Sequence, residues 1–84
     1  MTSSEQARAD TRATMLGLPA SGGPGIVLVE HSKTRAEDWL RQSRAMSGPY
    51  IRYRLYERVV SAAGLRTAVY VVVARRAVPE LRGE

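Results

Sequence analysis

Residues 50–76, YIRYRLYERVVSAAGLRTAVYVVVARR, limit what this chain can become more than any other stretch. From Tyr50 to its sixth residue, Leu55, the side chains alternate: Ile51, Tyr53 and Leu55 fall on one side, Tyr50, Arg52 and Arg54 on the other. Period two is the signature of a strand with one face buried. A second run holds Thr67, Val69, Tyr70, Val71, Val72 and Val73, β-branched and aromatic residues that suit a pleated, covered surface. Ser61-Ala62-Ala63-Gly64 separates the runs by a gap of hairpin length.

A three-residue loop, Ala62-Ala63-Gly64 with a left-handed Gly64, sets Ser61 opposite Leu65 and pairs odd positions with odd. The hairpin then has two faces. The apolar one carries Ile51, Tyr53, Leu55, Val59, Leu65, Val69, Val71 and Val73, with Glu57 and Thr67 near its middle. The other carries Tyr50, Arg52, Arg54, Tyr56, Arg58, Arg66, Tyr70 and Arg76, together with Val60, Ala68, Val72 and Ala74. A one-residue slip mixes the two sets, so this division depends on the loop length. A helical alternative stays open, because Ile51, Leu55, Val59 and Ala63 also recur at helical spacing and Gly64 would cap such a helix.

The remaining chain divides by composition. Residues 1–25 read as a flexible arm and linker: a polar, alanine-rich stretch with a thin apolar stripe, either disordered or a marginal helix that forms on contact with a partner, then four glycines and two prolines within residues 17–25. That linker lacks the Gly-Lys-Ser/Thr ending of a phosphate-binding loop. Residues 26–29, IVLV, are a short continuous apolar run and suggest a first strand, central in its sheet. Residues 34–46, TRAEDWLRQSRAM, predict a helix opened by a Thr34/Glu37 capping box, with Glu37 and Arg41 paired. Its inner face is Ala36, Trp39, Leu40, Ser43 and Met46. Residues 26–78 thus form one α+β domain, a small β-α-β-β unit with one helix packed on a three-stranded sheet, and residues 79–84 form a tail that starts where Pro79 halts the last strand.

The first and second strands are far enough apart in sequence for a crossover if they run parallel. The valine-rich run, placed at a sheet edge, invites strand pairing and with it a homodimer.

Charge narrows the functional classes. The net charge is +5, from thirteen basic against eight acidic residues, and Lys33 is the only lysine. Up to Gly25 the charges cancel, so the excess belongs to the folded part. No cysteine is present and His31 is the single histidine, which predicts no disulfide, no metal site and no cofactor. Catalysis is not expected, because Glu37 and Asp38 serve the helix start and no nucleophile has an evident base. No apolar run reaches membrane-spanning length and no signal peptide is evident, so a cytoplasmic protein without membrane or small-molecule partners is expected.

Sequence therefore predicts a small basic binding protein. Its leading partner is nucleic acid, single-stranded or RNA, held by stacking on Tyr50, Tyr56 and Tyr70 and by phosphate contacts from Arg52, Arg54, Arg58, Arg66 and Arg76. The alternative is a protein-interaction module, an inhibitor or assembly factor that meets an acidic protein surface or acts as a homodimer. Locally, PGIVLVEHS followed by a helix and SAAGLRTAVYVVVARR resembles the last third of class I methyltransferase domains. That resemblance implies a helix over 50–63 in a non-catalytic fragment, since the cofactor-binding glycine-rich loop of that family has no counterpart here, and it assigns no residue roles.

Overall fold

The computed structural model describes residues 3–20 and 22–77. The elements run α1 (Ser3–Met15), β1 (Pro24–Glu30), α2 (Lys33–Ser47), a 3-10 turn (Gly48–Tyr50), β2 (Ile51–Ala62) and β3 (Leu65–Arg76). The protein is α+β, with its helices layered on one face of a three-stranded sheet. Residues 51–62 are strand, so the helical alternative and the methyltransferase-like reading of this stretch both fall. Their tyrosines, valines and alternating arginines favour the pleat over a helix. The tail from Pro79 onward lies outside the described residues.

Strand order is β1-β3-β2 and both pairings are antiparallel. This corrects the expectation of a central first strand. The longest β-branched run is that of β3, and it occupies the middle, where both of its edges gain partners. β1 and β2 consequently run in the same direction, joined through α2, with β3 inserted between them in a split β-α-β arrangement. The dimer argument from an exposed valine edge loses its ground, because residues 70–73 pair on both sides. In β1, Val27 is an extra residue in the ladder between Ile26 and Leu28, and beyond it Leu28 faces Val72.

The hairpin turns on two residues rather than three. Ala62 pairs with Leu65, and the intervening Ala63 and Gly64 both have positive φ, 52° and 78°. Two left-handed residues in a two-residue loop match the right-handed twist of the flanking strands. Even positions therefore pair with odd: Tyr53 with Ala74, Leu55 with Val72, Glu57 with Tyr70 and Arg58 with Val69. Directly paired residues share a face. Relative to the three-residue loop, every side chain of β3 changes sides.

The covered face follows from this register. Ile51, Tyr53, Val72 and Ala74 are buried against Leu40 of α2 and against Ala13 and Leu18, with Leu28, Leu55 and Trp39 packed around them. Val72 and Ala74 are 0% exposed, although the three-residue loop would have turned them outward. The Trp39 ring meets the Tyr53 ring edge-on at 5.7 Å, and the Tyr53 hydroxyl shares a hydrogen bond with Ser47 Oγ. A buried phenol needs such a partner.

α2 starts earlier than its capping box predicts. Ser32 is extended, and its Oγ accepts from the backbone N–H of Arg35 at 3.3 Å, so Ser32 rather than Thr34 caps the helix. Its buried line is Ala36, Leu40, Ser43 and Ser47, and Met46 turns outward. The expected Glu37–Arg41 pair is replaced by an exposed Asp38–Arg41 pair at 3.0 Å.

Of the two readings of the N-terminal stretch, disordered arm or marginal helix, residues 3–15 take the helical one. The small side chains of Ala9 and Ala13 allow close approach, and both are buried. Arg12 anchors α1 to α2: its Nη2 donates to Ser43 Oγ at 2.6 Å and its guanidinium lies 5.6 Å from the Trp39 ring centre. Asp10 reaches the sheet through an ion pair with Arg76.

A left-handed alanine costs about 1–2 kcal/mol relative to a residue at ease there. Asparagine tolerates that conformation well and is favoured before glycine in two-residue turns. Ala63→Asn is expected to raise the unfolding free energy by about 1 kcal/mol in urea titration; a three-residue loop with a right-handed residue 63 would show no gain.

Candidate nucleic-acid interface

The helices leave the second sheet face uncovered. By register it carries Ile26 and Val29 of β1, Val69, Val71, Val73 and Arg75 of β3, and Arg52, Arg54, Tyr56 and Arg58 of β2. The arginines are exposed, as are Ile26, Val29 and Tyr56. Charge is sorted by side. Among the described residues this face holds four arginines and no carboxylate, because Glu30 and Glu57 both pair with Tyr70 and so lie on the covered side. Arg52, Arg54 and Arg58 make no ion pair among the described residues. Arg58 lies 5.7 Å from the Tyr56 ring centre, and Arg75 is steered by donating from Nε to the Gly22 carbonyl at 3.0 Å.

Four of the eight residues singled out from sequence meet on this face: Arg52, Arg54, Tyr56 and Arg58. The other four do not. Tyr50 sits in the 3-10 turn and is buried. Arg66 is exposed but pairs with Ser61, which places it on the opposite side of the hairpin. Tyr70 is on the covered side, where its hydroxyl donates to Glu57 Oε2 at 3.0 Å. Arg76 is half-buried and held by Asp10. For Arg66, Tyr70 and Arg76 the cause is the shortened loop, which moves β3 by one position against β2, whereas Tyr50 is withdrawn by the 3-10 turn that precedes β2. The same shift brings in Arg75, which the sequence reading passed over; allowing Ala63 a left-handed conformation would have identified it.

β1 ends its pairing at Tyr70, and β2 and β3 continue without it. From Glu57 to Ala62 is about 17 Å of strand at the usual rise. The hairpin therefore projects as a two-stranded arm, and the molecule measures 57 Å along its longest axis against 22 and 20 Å across. Val59, Val60 and Leu65 are exposed on this arm, Leu65 at 71%. Its charged residues beyond Glu57 are Arg58 and Arg66, both cationic.

Compared with known proteins, the chain matches no family model, no curated protein and no solved structure. No helix among the described residues is long and apolar enough to cross a membrane.

The base of the arm is clasped by Tyr70 and Glu57. That hydrogen bond, with smaller contributions from desolvation and from the charges of Glu57 and Glu37, raises the Tyr70 phenol above its ordinary value of 10.0. A raised phenol favours the folded state fully below the ordinary value, and the contribution disappears as pH rises through the raised one. In Glu57→Gln, the Tyr70 ring resonances followed by NMR are expected to titrate closer to the ordinary value. An unchanged midpoint would show that the carboxylate does not hold the hydroxyl.

Proposed function

We propose that the protein binds nucleic acid through the open face of its sheet. The observation that supports this reading is the charge sorting: Arg52, Arg54, Arg58 and Arg75 share a face without a carboxylate among the described residues. Guanidinium groups fit phosphate oxygens with two parallel hydrogen bonds, which suits a polyanion better than a point charge does. Three of the four lie on one strand at positions 52, 54 and 58, and same-face neighbours on a strand recur about every 7 Å, close to the spacing of successive phosphates. Val71 and Val73 of β3 flank the row on one side, and Ile26 and Val29 of β1 lie beyond them.

A second reading is a protein partner, favoured by the exposure of Ile26 at 67% and Val29 at 58% next to Val71 and Val73. An acidic protein surface would satisfy the same arginines. A second copy of this chain joined β2 to β2 would not. Antiparallel self-pairing centred near Leu55 sets Arg52 against Arg58, and centred near Tyr56 it sets Arg54 against Arg58. Like charges directly opposite are destabilising, so the arginines guard this edge.

Fluorescence anisotropy with labelled DNA and RNA across a salt series tests the proposal. Each phosphate neutralised contributes about 0.7–0.9 to the slope of log affinity against log salt. Changing Arg52, Arg54 and Arg58 together to Ala is expected to weaken binding and flatten that slope by about 2–3. Absence of binding, or binding indifferent to salt, would contradict it.

A further inference from the structure

We infer that the nucleic acid is duplex DNA and that the projecting hairpin, residues 57–70, enters its major groove. This rests on the reading above and names the substrate class within it.

The first ground is what the open face lacks. Binding of single strands relies on successive bases stacking on aromatic rings. Tyr56 is the only aromatic residue on the open face, because Tyr53 and Trp39 are packed in the core, Tyr50 is buried, and Tyr70 is turned to Glu57 on the other side. The Tyr56 ring already has Arg58 above it. One occupied ring makes no platform for a run of bases.

The second ground is the arm itself. A two-stranded ribbon alone is marginal in water, yet the described structure gives this one neither a third strand nor a helix beyond Tyr70. It keeps exposed valines and a leucine that a solvated ribbon does not need. A sheet with its side chains is about 10 Å thick, which matches the B-DNA major groove of about 12 Å and exceeds the minor groove of about 6 Å. Entry is unobstructed, because the tip is Ser61-Ala62-Ala63-Gly64. The major groove of A-form RNA is too narrow to admit side chains on such a ribbon.

Chemistry on both sides of the arm fits a groove. Arg58 projects from one face and Arg66 from the other, toward the two phosphate walls. Val60 lies opposite Thr67, and Ala62 opposite Leu65, giving apolar contacts of the kind that read thymine methyl groups. Arg52, Arg54 and Arg75, nearer the body, would meet the backbone beside the groove.

Arg66 separates arm insertion from binding by the open face alone, because it lies on the opposite side of the hairpin from Arg52 and Arg54. It is exposed and makes no ion pair among the described residues, so its removal leaves the fold intact. The full chain and its Arg66→Ala variant are titrated by anisotropy against a mixed-sequence DNA duplex, the matching DNA single strand, and the same sequence as duplex RNA. The expected result is tightest binding to the DNA duplex, with a salt slope that falls by about 1 in Arg66→Ala. Equal or tighter binding of the single strand or the RNA duplex, or an Arg66→Ala variant identical to the parent on duplex DNA, would overturn the inference while the nucleic-acid reading stands. Failure to bind any of the three would remove both.

Discussion

The two-residue reversal at Ala63 and Gly64 decides almost everything about this molecule's surface. It fixes the register of a ladder that runs without interruption from Ile51 and Arg76 to Ala62 and Leu65. Side chains alternate with period two, so a change of one residue in the turn would exchange the faces of a whole strand. With the observed turn, the apolar side of β2 meets Val72 and Ala74, and the arginine side meets Val69, Val71, Val73 and Arg75. The core and the basic face are thus two results of one backbone constraint. An alanine in the left-handed region is the local cost of that arrangement.

Covering one face is what gives the other its character. The helix layer is tied down by a short series of contacts: Arg12 to Ser43 and Trp39, Trp39 edge-on to Tyr53, Tyr53 to Ser47, and Asp10 to Arg76. These contacts spend two cations, Arg12 and Arg76, and two aromatic residues, Trp39 and Tyr53, on holding helices to sheet. Of the arginines on the strands, Arg52, Arg54, Arg58 and Arg75 stand on the uncovered face, opposite the side that carries Glu30 and Glu57. Asymmetry of charge across a thin sheet follows from asymmetry of packing.

Much of this was readable from the residues. The alternation of Ile51, Arg52, Tyr53 and Arg54 identified β2 and both of its faces, and the spacing of Ala36, Leu40 and Ser43 identified the buried side of α2. The position of β3 was not readable to the same degree, because a run such as Val71-Val72-Val73 looks the same from either side. Only the loop could break that degeneracy, and Ala62-Ala63-Gly64 carries one residue, Gly64, with an intrinsic left-handed preference. A three-residue loop was the reading local propensity favoured, and cross-strand packing of Val72 and Ala74 overrode it. The same limit left α1 as no more than a marginal helix and hid its docking, because its alanines offer little apolar signal until Arg12 finds Trp39 and Asp10 finds Arg76. It also hid the sheet order, which depends on which edges are already satisfied rather than on the composition of any one strand.

In the function we propose, one sorted face, continued by the arm, binds nucleic acid while the helix layer covers the other. Backbone amide shifts of the full chain, followed by NMR as duplex DNA is added, test it most directly. Perturbations concentrated on Arg52, Arg54, Tyr56 and Arg58 and along the arm from Val60 to Thr67 are the expected pattern. Perturbations centred on α1 and α2, with the β2 amides unmoved, would contradict it.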